Sequence, residues 1–213
     1  MIVIACATGP VRGSTVAPEC ASSFNVGFKV VRVENLNVGV WYPTSGNEVD
    51  SQYASNVRGR ALKNGPVNSC ARFPLVVFSH GFSGCGTQTV YFTEELARHG
   101  YIVAAPDHKD ALCSVTGKGS FRAIKTDQSF FDPGKWDEQT QVDRRNDLNR
   151  VITWMLQSSD LKSAIAADRV GAVGHSLGGY DVLGLAGGWS SWKDDRIRAA
   201  LLFSPYAAPS SLR

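Results

Sequence analysis

The sequence predicts an α/β domain, a mostly parallel sheet flanked by helices, over residues 24–213, behind a loose leader at 1–23. Three observations predict it. Leu75-Val76-Val77-Phe78-Ser79, between Pro74 and Gly81, and Tyr101–Ala105, stopped by Pro106, are apolar runs of the kind found in strands buried on both faces. Helical stretches separate these runs, and strands alternating with helices favour a parallel sheet covered on both sides. Finally, Arg169–Val173 leads through Gly174-His175-Ser176-Leu177-Gly178 into a small-residue helix start, so a strand, a tight turn and a helix follow in immediate succession.

The elements follow in chain order. Residues 1–23 are rich in Gly, Ser, Pro and Ala and carry no clear period. Phe28–Val33 and Leu36–Trp41 alternate around Glu34-Asn35, as a hairpin does. Pro43 to Asn68 is polar and turn-rich and reads as a long surface connection. Thr89–His99 reads as a helix closed by Gly100. Residues 109–135 look irregular, which in a compact domain suggests a lid or binding wall. There Phe121, Phe130, Phe131 and Trp136 are either pocket walls or satellite core, the second being favoured. A helix resumes near Trp136. Its Leu148, Val151, Ile152, Met155 and Leu156 fall on one face. Ile197–Phe203 is the last strand.

Composition narrows the function classes. A net charge of +3 is too mild to point to nucleic acid. No segment approaches the roughly 20 apolar residues of a membrane span. The apolar Met1–Ala7 lacks the basic flank and length of a signal peptide, although it is compatible with the remnant of one. Secreted or periplasmic location is slightly favoured over cytoplasmic. None of the five cysteines has C-x-x-C spacing, which argues against zinc and thioredoxin-like redox chemistry, and no metal or cofactor is expected. Cys85 and Cys113 each follow a predicted strand on the same side of the sheet, so they are placed to meet; free buried thiols are the alternative.

The chemistry centres on Ser176. G-x-S-x-G between a strand and a helix forces a strained turn that lifts a serine hydroxyl above the sheet. The turn Ser79-His80-Gly81-Phe82-Ser83-Gly84 ends the first buried strand, so the backbone amides of Phe82 and Leu177 are the expected oxyanion donors. A serine needs a base. Of the four histidines, His80 suits the shaping of the oxyanion turn, His175 is the elbow residue and His99 ends a helix. His108, at a strand end on the functional side, is the one placed to swing toward Ser176 and is the candidate base.

Together these segments resemble the α/β-hydrolase superfamily, above all its dienelactone-hydrolase-like and platelet-activating-factor-acetylhydrolase-like esterases, with polyester hydrolases and cutinase-type enzymes as cousins. The matching segments are Val40-Trp41-Tyr42-Pro43, Phe73 to Gly84, Gly100 to His108, Arg144-Arg145-Asn146-Asp147-Leu148, Asp168 to Gly179 and Arg196 to Pro205. The resemblance implies hydrolysis of short- or medium-chain carboxylic esters through an acyl-enzyme on Ser176. It also implies a triad acid and histidine beyond Ile197–Phe203, where this chain offers no histidine. The expectation is a hydrolase fold lacking its last strand–helix units, about 60 residues at about 30 per unit. Its last strand would then be an apolar edge, predicting a homo-oligomer joined there. The competing reading is a catalytically inactive truncated fold serving as a binding or structural module.

Overall fold

The computed structural model describes residues 20–54, 56–116 and 125–208. Two antiparallel strands, β1 (Asn25–Val33) and β2 (Leu36–Thr44), turn over through Glu34 at φ 52°. A second hairpin follows, β3 (Val49–Ala54) and β4 (Val57–Lys63). Then come β5 (Phe73–Ser79), α1 (Val90–Arg98), β6 (Ile102–Pro106), α2 (Val142–Gln157), β7 (Ile165–His175), α3 (Leu177–Leu183) and β8 (Ile197–Phe203). They build one eight-stranded sheet in the order β3-β4-β1-β2-β6-β5-β7-β8. β6, β5, β7 and β8 run parallel, and β2 joins them antiparallel through β6.

Strand alternation sorts the side chains into two cores. Leu75 and Val77 of β5 face α2, where Leu148, Val151, Ile152 and Met155 form the apolar stripe expected of that helix. Val76 and Phe78 face the other way, toward α1, with Phe28, Trp41 and Val103. α1 ends as expected at Gly100, whose φ of +83° a β-carbon would strain.

Three expectations need correction. The stretch 43–68 is not a plain connection, because β3 and β4 lie in it and extend the sheet beyond β1. Its strands are half-exposed; of their side chains, Tyr53 and Ala61 are the buried apolar ones. Arg60 meets Asp50 across the pair, so little hydrophobic alternation is visible. The helix expected near Trp136 begins instead at Val142, and Trp136 is a buried member of an aromatic cluster. The strand leading to Ser176 is also longer than Arg169–Val173, because Ile165 and Ala166 pair with Phe73 and Pro74 before a register shift.

Two disulfides tie loops to this frame. Cys85–Cys113 joins the segment after β5 to the segment after β6, as their placement suggested. Cys20–Cys70, which nothing in the cysteine spacing indicates, pins the first described residue beside β5. A disulfide of this loop size stabilises a fold by about 2–4 kcal/mol. Residues 1–19 of the expected leader, and Phe121 of the expected aromatic wall, lie outside the described residues.

Candidate active site

The C-terminal ends of β5, β6 and β7 converge on one edge of the sheet. Ser176 sits between β7 and α3 at φ 52°, ψ −116°, a conformation costing a non-glycine residue about 1–3 kcal/mol. The surroundings hold it there. Ser176 N–H donates to Phe203 O at 3.0 Å, and Ser176 O accepts from Gly179 and Tyr206 at 2.9 and 2.8 Å. The flanking glycines are needed because of close approach. A β-carbon on Gly174 would lie 2.0 Å from Gly178 O, and one on Gly178 would lie 2.0 Å from Ser79 O. The hydroxyl itself has no hydrogen-bond partner among the described residues, and the residue is half-buried.

The turn after β5 lies against this elbow: a β-carbon on Gly81 would come within 3.3 Å of Ser176 Cβ. Gly84 N–H closes the turn on Gly81 O at 2.9 Å, with Ser83 at φ 62°. Among the described residues the Phe82 N–H has no acceptor. Leu177 opens α3, where a first-turn amide has no acceptor within the helix. Gln88 spans the two loops: its Oε1 accepts from Gly81 N at 3.0 Å and its Nε2 meets His175 Nδ1 at 2.9 Å.

His108 is not brought to Ser176. It is buried, with Nε2 3.1 Å from Ser79 Oγ and Nδ1 2.9 Å from Asp147 Oδ2. The swing toward Ser176 expected of it would break both contacts inside a closed core. The other histidines also make their ring hydrogen bonds elsewhere: His175 with Gln88, His99 with Glu95 O, and His80 within its own turn. His80 Nε2 accepts the His108 N–H at 3.1 Å, so that nitrogen carries no proton, and Nδ1–H donates to Gly81 O at 2.7 Å. His80 is thereby fixed as one neutral tautomer. Burial, and then the Arg144 charge and His108, hold it well below the usual histidine range. His99 ends α1, where it is exposed.

Beneath the elbow lies a charge cluster of which the sequence marks Arg144, within the matching Arg144–Leu148 segment, but not its partners. Arg144, buried on α2, donates through Nε to Asp181 Oδ2 (2.8 Å) and through Nη1 to Asp110 Oδ1 (2.5 Å). Its Nη2 reaches His80 O and, at 3.3 Å, Ser79 Oγ. Ser79 gives its one proton to Asp181 Oδ2 at 2.7 Å, so His108 Nε2 must carry the hydrogen facing Ser79. Asp147 and His108 then share the remaining proton, in keeping with burial, which raises the Asp147 carboxyl and lowers the histidine. Burial pushes Asp181 up to about 6 against the pull of Arg144. Asp110 goes the other way: against its burial, the Arg144 guanidinium holds it below the carboxylate range. For those partners the available sequence signal is two aspartates at strand and helix ends, which is indistinguishable from ordinary surface charge without the fold.

An aromatic cluster walls the other side. Phe82 meets Phe130 edge-on at 5.2 Å between centroids, and Phe130 meets Tyr206 at 4.9 Å. Trp136 packs on Phe130, Tyr180 and Tyr206, whereas Phe131 is fully exposed. Among the described residues no group of acidic, histidine and cysteine side chains is arranged to hold a metal ion.

Comparison with known proteins adds to this geometry. The family model for platelet-activating factor acetylhydrolase, isoform II, matches residues 40–131. The chain is 27% identical over 186 residues to the dog (Canis lupus familiaris) platelet-activating factor acetylhydrolase, covering 75% of this chain and 41% of that protein. It is 28% identical over 143 residues to a cutinase of Thermobifida alba, covering 62% of this chain and 44% of that protein. The chain thus spans less than half the length of these curated relatives. Among solved structures, a ferulic acid esterase from Streptomyces cinnamoneus superposes with a TM-score of 0.63 at 24% identity, over 85% of this chain and 59% of that one. That likeness shows the fold.

Proposed function

We propose that this chain, which belongs to the α/β-hydrolase esterase family, is a serine carboxylesterase for short- or medium-chain acyl esters, with Ser176 as its nucleophile. The observation that carries the reading is the strained, half-buried Ser176, whose hydroxyl is free among the described residues and which sits against the Gly81 turn. Ser176 Oγ attacks the ester carbonyl carbon, and the carbonyl oxygen becomes an oxyanion held by the Phe82 and Leu177 amides. Collapse expels the alcohol, which leaves with the proton given up by the Ser176 hydroxyl, and leaves an acyl-serine. Water then adds to the acyl carbon, the acid departs and the serine regains its proton. Pre-placed donors of this kind each contribute about 10²–10³ in rate.

No described histidine side chain hydrogen-bonds Ser176, so the described residues supply the nucleophile and the oxyanion amides but no base. The expected turnover is strongest with activated esters, whose alcohols leave without protonation. In a serine protease stripped of its nucleophile or base, binding and the oxyanion hole still leave roughly 10³–10⁴ over water. The two disulfides favour a secreted or periplasmic setting, since such bonds persist in oxidising compartments. β8 ends the sheet with Leu201 and Phe203 exposed, and we expect this edge to pair with a second copy.

The test is hydrolysis of p-nitrophenyl acetate and butyrate by the chain beside Ser176→Ala. Turnover above background that disappears in the variant supports the reading. Equal rates for the two proteins leave the binding-module alternative as the better account.

A further inference from the structure

Arg144 grips the chain on both sides of the proposed oxyanion hole. One guanidinium bonds His80 O, two residues before Phe82. Through Asp110 it reaches the residue after Phe82, since Asp110 Oδ2 accepts from Ser83 N at 3.2 Å. Its third direction meets Asp181, on α3 one helical turn beyond Leu177, at 2.8 Å. The segments bearing both amides are therefore fastened to a single planar group rooted in α2.

A buried ion cluster is weak evidence for stability, because apolar side chains of equal volume fill such a space as well or better. What a guanidinium adds is direction: a rigid fork of donors fixing three partners at set angles, which a lysine ammonium does not reproduce. Oxyanion stabilisation is sensitive to this, since donors must stand about 2.7–3.1 Å from the oxyanion position. We propose that Arg144 is a positioning residue which, through His80, Asp110 and Asp181, sets the placement of the Phe82 and Leu177 amides. The inference rests on the serine-esterase reading above.

The test is inactivation by an alkyl fluorophosphonate, with limiting rate and half-saturating concentration measured separately. The proteins are the wild-type chain, Arg144→Lys, Asp110→Asn, and Glu48→Gln as a control. Glu48 pairs with Arg98 and Arg60, outside this cluster, so its loss loosens the fold elsewhere. Arg144→Lys and Asp110→Asn are expected to lower the limiting rate tenfold or more, with half-saturation within twofold of wild type. Glu48→Gln is expected to keep the wild-type rate at a lower melting temperature. Should Arg144→Lys fail to fold, the milder Asp110→Asn decides. A wild-type limiting rate in folded Asp110→Asn overturns the inference, as does a rate that follows melting temperature across all variants. Absence of labelling in the wild-type chain overturns the serine reading itself, and this inference with it.

Discussion

Two serines end neighbouring strands of this sheet, and they divide the attributes of a catalytic nucleophile between them. Ser79, closing β5, has a histidine at 3.1 Å whose other nitrogen meets an aspartate at 2.9 Å. It is also wholly buried, and its proton is committed to Asp181. Ser176, closing β7, has no such relay, yet it has the strained backbone, partial exposure and neighbouring free amides. On the proposed reading, a Ser–His–Asp geometry is not by itself a catalytic signature. Access and an oxyanion site decide, and at Ser79 the same residue types serve the core.

The largest stability effect is expected at the buried Ser79–His108–Asp147 relay. His108→Leu leaves Asp147 and Ser79 without their shared partner in a closed core and should cost about 3 kcal/mol. Its folded fraction should still label at Ser176, so loss of labelling in folded protein would restore His108 to the mechanism. Ser79→Ala removes one hydroxyl used by Arg144, Asp181 and His108 and should cost about 1–3 kcal/mol in urea unfolding. A neutral effect would mean that the network re-forms without it.

The acid limb of stability gives a smaller, signed test. His80 is held well below its ordinary range, chiefly by burial. A depressed folded pKa means the stabilisation is present above the unfolded value, about 6.5, and is lost as pH falls below it. The expected slope is up to about 1.4 kcal/mol per pH unit for each such histidine. Asp181, raised to about 6, acts in the opposite sense, but it is unchanged between wild type and His80→Gln. The difference between their limbs therefore reports His80 together with the neighbouring Asp110 carboxylate, and the variant should show the shallower slope. Parallel limbs would contradict the neutral tautomer. Smallest in stability is the β8 edge. Leu201→Lys should leave the melting temperature nearly unchanged while shifting micromolar light scattering from dimer to monomer, and a monomeric wild-type chain would contradict the edge-pairing reading.

The parts legible in the sequence are those encoded by local pattern. The apolar runs of β5 and β6, the i, i+3, i+4 stripe of α2 and the glycines around Ser176 each announce themselves within a short window. The β3–β4 hairpin does not, since its stability comes from Tyr53 and Arg60 N–H reaching Glu94 on α1 at 2.7 and 2.8 Å rather than from alternating apolar residues. The Arg144 cluster is equally hidden: Arg144, Asp110 and Asp181 are scattered in sequence and meet only because three strand ends and a helix converge. His108 misleads for the same reason, because its strand end suggests the functional side while its partners draw it inward.

The most direct test of the nucleophile assignment is peptide mapping by mass spectrometry after fluorophosphonate treatment, with wild type, Ser79→Ala and Ser176→Ala in parallel. The account predicts one adduct, on Ser176, present in wild type and in folded Ser79→Ala and absent from Ser176→Ala. An adduct on Ser79, or equal modification of Ser176→Ala and wild type, would contradict it.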